Sequence, residues 1–392
     1  MRRHALQEFE VDIVSLHCEE WMMANNVGSS SNRRPKLSAS AMAIRYAGIG
    51  AATLCMAGAF AYAGGWLSPG RLTQERIVSG FEATQGKHVG FRRNHAKGLC
   101  ATGWFDSSGA ATSVSKAALF APGRVPVVGR FAFAGGMPYV PDAPGTVRSL
   151  ALQFKPPGAQ EWRTAMINLP VFPFSTVQAF YEQMMLSVPD PATGKPDPEK
   201  MKAFAAAHPD FVAAGAIFGG RVISSGFANT AYNGLDTFRF VDGAGASRPV
   251  RWSAVPIQPI VSAGKQRGMD PNYLFDDLIA EVAKHPVQWK MVATIGKPED
   301  PERPDKIWPA DRQQVEMGIV TLDKLSSEDD GPCVDINFDP TVLPAGIETS
   351  GDAIPSARSA AYSRSFTLRE RERGAKPPSA ITRQDVAAGG NP

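Results

Sequence analysis

His95 is the residue of this chain best suited by its neighbours to acid–base chemistry. It lies in the segment FRRNHAKGLC, where Arg92, Arg93 and Lys97 flank it in sequence. Nearby cations lower the pKa of an imidazole and favour its neutral form, which is the form that accepts a proton. A single histidine is more often a structural or surface residue, so both interpretations are open at this point.

A tyrosine and an arginine that could act together in a functional site lie far along the chain, in the segment PAGIETSGDAIPSARSAAY. Arg358 precedes Tyr362 by four residues, so on a helix the two side chains project from one face and lie within reach of each other. A free tyrosine has a pKa of about 10 and is protonated at neutral pH. An arginine that hydrogen-bonds the phenolic oxygen stabilises the phenolate. Aromatic packing on a helix would not explain the paired arginine.

Composition excludes several classes of function. The net charge of +3 is small and the basic residues are scattered over the 392 residues, so we expect no nucleic-acid partner. The four cysteines form no CxxC pair, so a zinc site is not expected. Cys100 and Cys333 could pair in an oxidising compartment, but the sequence alone does not test their geometry. The 37 glycines and 32 prolines predict a loop-rich chain.

The N-terminal part of the chain carries a long uncharged stretch, from Tyr46 to Gly70, that comes after several basic residues. Its length suits a membrane-spanning helix, and the small residues around Tyr62 also fit a signal-peptidase site. Both interpretations export the rest of the chain, either to the periplasm or to a membrane-anchored position facing it. If uncleaved, the segment is also a contact with the membrane. We predict a disordered leader over residues 1–40 and an anchor or signal segment over residues 41–69.

The pattern of apolar runs predicts the fold class of the remaining chain. Short runs separated by glycine and proline indicate antiparallel strands, and examples are LCATGWF, VPVVGRFAFAG and VRSLALQF. Longer periodic segments indicate helices, and examples are TVQAFYEQMMLSV and PNYLFDDLIAEVAKH. We predict an α+β domain over residues 70–373, a large antiparallel barrel carrying helices, and a disordered tail over residues 374–392.

The two chemical segments together resemble those of the haem catalases. Arg-x-x-His-Ala-Lys-Gly around His95 resembles the distal-histidine motif, and Arg-x-x-x-Tyr at Tyr362 resembles the motif that supplies the tyrosinate ligand. Both occur in the order that the family has, and the resemblance extends from Leu72 to Arg373. It implies a catalase-like antiparallel β-barrel with surrounding helices and a haem b cofactor. In that family the tyrosine ligates the iron, and the histidine acts as the acid–base residue.

Other positions match residues that hold the cofactor in this family. The resemblance implies that three arginines face the haem propionates, which suits guanidinium groups because they pair with carboxylates bidentately and stay charged. These arginines are Arg92, Arg130 and Arg369. It also places Phe172 and Phe180 at the aromatic positions of the distal pocket. Without the resemblance, each of these arginines would be interpreted as an ordinary surface residue.

Two departures from the catalase pattern bear on the reaction. Ile167 stands where catalases carry the distal asparagine, and Ala132 stands where a serine supports the histidine. The chain also ends soon after the ligand helix. These departures put rapid dismutation, tetramer formation and NADPH binding in doubt, and they are typical of the catalase-related peroxidases, a small exported branch.

The resemblance therefore implies a peroxidase with weak or no catalase activity that acts in peroxide detoxification. Its substrates would be hydrogen peroxide or an organic hydroperoxide, with an organic reductant as electron donor, and the protein would be a monomer or a small oligomer. Two alternatives stay open. One is a hydroperoxide isomerase similar to allene oxide synthase, and the other is an exported haem-binding module without turnover.

Overall fold

A computed structural model describes residues 38–64, 66–67, 71–264, 270–374 and 377–389. The chain divides into two compact units, Met1–Arg71 and Leu72–Pro392. The predicted leader lies almost wholly outside the described residues.

The described part of the first unit contains one helix, α1 (Ala39–Ala63). Ser38 caps it by accepting a hydrogen bond from the backbone nitrogen of Ala41 at 3.2 Å, which satisfies one of the free amides of the first turn. The helix is 25 residues long, has a mean hydropathy of 1.3 over its most apolar window and buries no residue. It is long and apolar enough to cross a membrane, and its length and composition also suit a signal sequence.

The second unit is built on a closed barrel of eight antiparallel strands, which confirms the predicted α+β fold. The strands are β1 (Gly98–Ser107), β2 (Gly123–Phe133), β3 (Arg148–Phe154), β4 (Trp162–Ile167), β5 (Tyr232–Val241), β6 (Ser247–Pro256), β7 (Val287–Ile295) and β8 (Gln314–Ser326). Each strand pairs with the next in sequence, and β8 pairs with β1 to close the barrel. A short ninth strand, β9 (Ile347–Thr349), pairs with β5.

The strands form because apolar residues alternate along them. In β7, for example, Val287, Trp289, Met291, Ala293 and Ile295 are buried, whereas the residues between them are partly or fully exposed. This period of two matches the alternation of side chains across a strand. The main core is one continuous cluster that takes buried residues from all eight strands, and smaller clusters lie beside it. The barrel is therefore a packed scaffold that fixes the strand ends and the loops between them.

Seven α-helices and two short 3-10 helices, Ala110–Ser113 and Ala118–Phe120, surround the barrel in the described part of this unit. The α-helices are α2 (Gln74–Gln85), α3 (Val177–Leu186), α4 (Pro198–Ala207), α5 (Pro209–Gly219), α6 (Tyr273–Lys284), α7 (Ile354–Glu372) and α8 (Arg383–Gly389). Helix α2 lies against both α3 and α7. Gly80 permits the close contact with α3, since a Cβ at this position would lie 2.4 Å from Cε of Met184.

The structure differs from the prediction at the C-terminal tail. Residues 383–389 form α8, Ile381 is fully buried, and Val386 packs against the main core. The hydroxyl of Ser327 donates a hydrogen bond to the carbonyl of Ile381 at 2.6 Å. The polar composition of the tail hid this docking, because a single buried isoleucine gives no periodic pattern to detect.

Cys100 in β1 and Cys333 form a disulfide whose two residues are fully buried. The bridge joins residues 233 positions apart in sequence, so it removes much conformational freedom from the unfolded chain. We expect Cys333→Ser to lower the free energy of unfolding by about 2 to 5 kcal/mol in denaturant titrations. Cys55→Ser is the matched control, because Cys55 is a free, exposed cysteine of α1 and its loss should leave the transition unchanged. Equal stability of Cys333→Ser and the parent would contradict this prediction.

Candidate active site

The loop between α2 and β1 holds His95 in an unusual backbone conformation. Its φ is +58°, and it is the one residue other than glycine with a positive φ in the described part of the chain. The side-chain oxygen of Asn94 accepts hydrogen bonds from the backbone nitrogens of His95 at 2.9 Å and Gly135 at 2.7 Å, which hold the loop in place. Left-handed backbone at such a residue costs about 1 kcal/mol or more and concentrates at functional sites.

The imidazole of His95 is partly buried and neutral. Burial, followed by the charges of Arg130 and Arg358, lowers its pKa from the ordinary value to about 3. Its Nδ1 lies 3.1 Å from the hydroxyl of Ser149, which itself donates to the backbone carbonyl of Ala132 at 3.2 Å. Because the hydroxyl proton of Ser149 is used in the bond to Ala132, its oxygen acts as the acceptor for Nδ1–H of His95. The imidazole is therefore protonated on Nδ1 and has a free lone pair on Nε2.

Ser149 corrects one expectation from the sequence. Ala132 carries no hydroxyl at the position where the resemblance places a supporting serine, but His95 has a hydroxyl partner all the same. Ser149 in β3 is paired with Ala132 in β2, so the neighbouring strand supplies the hydrogen bond. No local sequence pattern indicates this contact, because it depends on the register between two strands.

Helix α7 presents Tyr362 and Arg358 on one face, as their spacing predicts. Nη2 of Arg358 donates to the phenolic oxygen at 3.2 Å and to the carbonyl of Ala165 at 3.3 Å. Nη1 pairs with Asp236 of β5, a carboxylate that is nearly buried. Burial opposes the charge of Arg358, but the phenolic oxygen of Tyr362 and the carboxylate of Asp236 outweigh it and raise the arginine pKa.

Asp236 is a site residue that was not predicted from the sequence. It lies in the strand YNGLDTFRFV, whose other residues are mostly buried. An acidic residue in such a strand needs a charged partner, because an unpaired buried carboxylate is costly. An acidic residue within an otherwise apolar strand is therefore the sequence signal that could have identified Asp236 as a site residue.

Three arginines from separate parts of the chain converge on Glu328. Arg130 binds this carboxylate with two nitrogens at 2.8 and 2.7 Å, and Nε of Arg92 lies 3.6 Å from it. The charge of Arg369 also acts on Glu328. Gly98 makes room for the cluster, since a Cβ there would lie 2.3 Å from Nη2 of Arg130. Gly98, the glycine of the histidine motif, therefore leaves the space that the guanidinium of Arg130 occupies.

All eight site residues predicted from the sequence line one cavity with a volume of about 370 Å³. They are Arg92, His95, Arg130, Phe172, Phe180, Arg358, Tyr362 and Arg369. Most of the other lining is apolar, and the rings of Phe172, Phe174 and Phe180 contact one another at 5.4 to 5.8 Å between centroids.

Ile167 lines the cavity at the position where the sequence lacks the distal asparagine. The adjacent Asn168 does not take its place, because its side-chain oxygen accepts a hydrogen bond from the backbone nitrogen of Arg148 at 2.9 Å. Three other amides line the cavity, and two of them, Asn94 and Asn233, are engaged with backbone and side-chain partners. The third is Asn337. The cavity thus combines a neutral imidazole, a phenol paired with arginine, and an arginine cluster within apolar walls.

Comparison with known proteins gives a consistent match. The model of the catalase family matches residues 72–374. The chain is 39% identical over 303 residues to a catalase-related peroxidase of Synechococcus elongatus, covering 76% of this chain and 89% of that protein. It is 29% identical over 314 residues to a catalase-related peroxidase of Mycolicibacterium paratuberculosis, covering 79% and 99%.

Solved catalase structures share the fold. A bacterial catalase aligns with a TM-score of 0.64 and 21% identity over 74% of this chain and 59% of that chain. A fungal catalase aligns with a TM-score of 0.63 and 20% identity over 72% and 60%. The chain therefore spans about three fifths of the length of these solved catalases.

Proposed function

This chain belongs to the catalase family, and from that premise we propose that it is a haem-dependent peroxidase that reduces hydrogen peroxide or organic hydroperoxides with an organic electron donor. It has weak or no catalase activity and serves in peroxide detoxification. The observation that carries the proposal is the presence of His95, the Arg358–Tyr362 pair and the arginine cluster in one cavity. The catalase-related peroxidases among its relatives support the same activity.

The residues of the cavity fit haem b. Tyr362, with its oxygen held by Arg358, would ligate the iron as phenolate. The three arginines would bind the propionates, because they outnumber Glu328, the carboxylate that they share, and because the buried Nε atoms of Arg92 and Arg369 have no hydrogen-bond partner. Phe172 and Phe180 would contact the porphyrin from the apolar wall. When bound, the haem supplies the redox chemistry that cleaves the peroxide bond.

His95 performs the proton transfers in this proposal. Its neutral Nε2 would take the proton from one peroxide oxygen and return it to the other. That oxygen then leaves as water or as an alcohol and not as a strongly basic anion. The hydrogen bond from Nδ1 to Ser149 keeps the ring oriented for both transfers.

Ile167 favours peroxidase over catalase activity. An asparagine at this position would donate a hydrogen bond to bound peroxide, worth about 1 kcal/mol or somewhat more in a dry pocket. The first peroxide would be held mainly by His95 and the bound cofactor, so its cleavage should tolerate this loss. Oxidation of a second peroxide needs that molecule to be held in place, and an organic donor replaces it more easily.

The pH profile depends on the low pKa of His95. The base works in its neutral form, and with a pKa of about 3 it stays neutral well below the ordinary titration range of histidine near 6.5. We expect kcat/KM for hydrogen peroxide to stay level from about pH 5 to pH 8 and to fall only as the pH approaches the pKa. Stopped-flow rates at saturating donor would measure this, with circular dichroism at each pH to exclude unfolding. A rate that halves near pH 6.5 would contradict it.

The test of the function is an absorbance and turnover study of the haem-loaded protein. We expect a ferric haem spectrum typical of a phenolate ligand, a spectral change on peroxide addition, and steady oxidation of a phenolic donor. Oxygen release as fast as that of a large catalase, with no donor oxidation, would overturn the proposal. A lipid hydroperoxide converted to an isomer without any reductant would favour the isomerase, and haem binding without turnover would favour the non-catalytic module.

We place the enzyme in the periplasm or on the membrane facing it, as a monomer or a small oligomer. The apolar helix α1 supports export. The buried disulfide between Cys100 and Cys333 supports it independently, since disulfides persist in oxidising compartments and are rare in the cytosol.

A further inference from the structure

Glu328 is an almost buried carboxylate among three guanidinium groups. It lies just after the end of β8, and its side chain is 8% exposed. Its two oxygens accept hydrogen bonds from Nε and Nη2 of Arg130, and one of them lies 3.6 Å from Nε of Arg92. Burial alone would raise its pKa, but Arg130, Arg92 and Arg369 hold the pKa below the ordinary value. Glu328 is therefore an anion at neutral pH.

The arginines have anchors other than Glu328. Each of them donates at least one hydrogen bond to a backbone carbonyl, at 2.6 to 3.3 Å. The donor and acceptor residues are Arg92 with Cys333 and Ile336, Arg130 with His95, and Arg369 with Val334. The direction of each guanidinium thus survives the loss of the carboxylate charge, because neutral backbone groups fix it.

The charge of the cluster is not balanced. The three guanidinium groups and Glu328 together carry a net charge of +2. Another carboxylate, Glu370, lies 3.9 Å from Nη2 of Arg369 and is paired with Arg373 at 2.7 Å. Burial lowers the pKa values of Arg92 and Arg369. A porphyrin with two carboxylates would neutralise this charge. The same carboxylates would also lie near Glu328 and be repelled by it, because both bind to one set of arginines.

We propose that Glu328 is the resident counterion of this arginine cluster: it stabilises the protein before the cofactor binds and opposes the carboxylates of the bound porphyrin. The inference rests on the proposed haem site. It makes Glu328 a positioning and affinity-setting residue for the cofactor and gives it no part in the reaction with peroxide. Removing its charge should destabilise the empty protein and tighten porphyrin binding at the same time.

Glu328→Gln tests both halves of this inference in the full-length chain. Iron-free protoporphyrin IX and its dimethyl ester serve as probes, so that neither iron ligation nor turnover enters the measurement. We expect the variant to bind the diacid about tenfold more tightly than the parent, as a unit charge about 10 Å away would give at an effective dielectric constant near 20. The diester should bind equally to both proteins. The melting temperature of the porphyrin-free variant should fall.

Asp300→Asn is the matched control, because Asp300 forms an equally buried bidentate pair with Arg312 in another part of the domain. It should lower the melting temperature without changing the affinity for either porphyrin. If porphyrin-free Glu328→Gln does not fold, the haem-loaded variant tests the same point. Haem should pass from this variant to an excess of a haem-scavenging globin more slowly than it does from the parent. Equal or weaker binding of the diacid, or an equal gain for the diester, would overturn the inference. If the parent bound no porphyrin at all, that result would refute the proposed function, and the inference would fall with it.

Discussion

Tyr362→Phe should yield a protein that folds but retains less than about a tenth of the haem of the parent and consumes almost no peroxide. The substitution removes one oxygen, and that oxygen is the iron ligand in the proposed site. It also removes the hydrogen-bond acceptor of Arg358 at 3.2 Å. The partly buried guanidinium keeps its ion pair with Asp236, so the loss of stability should be small compared with the loss of cofactor.

Haem content per chain, from the pyridine haemochrome absorbance, measures this effect directly. Tyr181→Phe is the matched control, because it removes a hydroxyl from a tyrosine of α3 that does not line the cavity. The control should bind haem and turn over like the parent. Full haem content and an unchanged spectrum in Tyr362→Phe would exclude this tyrosine as the ligand.

His95→Ala should bind haem normally but consume peroxide about one hundred- to ten thousand-fold more slowly, which is the usual contribution of a positioned acid–base group. Haem binding should persist, because the cofactor contacts proposed above come from other residues. The substitution also removes the side chain that contacts Ser149, and it leaves the backbone strained at the positive φ. A moderate loss of stability should therefore accompany the loss of rate.

Stopped-flow mixing of the haem-loaded variant with hydrogen peroxide measures the first step alone, without the donor. His285→Ala is the control, since this histidine is exposed at the end of α6 and should not affect the rate. Rates within a few fold of the parent for His95→Ala would remove the proton-transfer role. They would leave the haem-binding module as the better description of the protein.

The sequence by itself determined the elements and residues that are encoded locally. Alternating apolar runs predicted the barrel strands, because side chains alternate across a strand whatever its partner is. The spacing of four residues between Arg358 and Tyr362 predicted their contact, because it depends only on the pitch of one helix. The motifs around His95 and Tyr362 pointed to two residues that the structure brings into one cavity.

Only the tertiary structure decided which distant groups complete the site. Ser149 reaches His95 through the register of two strands, Asp236 reaches Arg358 from β5, and Glu328 joins the arginines after β8. The Cys100–Cys333 bridge and the docked α8 belong to the same class. Each is a contact between residues far apart in sequence. The local sequence around a polar residue or a cysteine does not identify its partner. Such partners are fixed by the closure of the barrel and the packing of helices on it, where burial makes an unpaired charge or polar group too costly to leave alone.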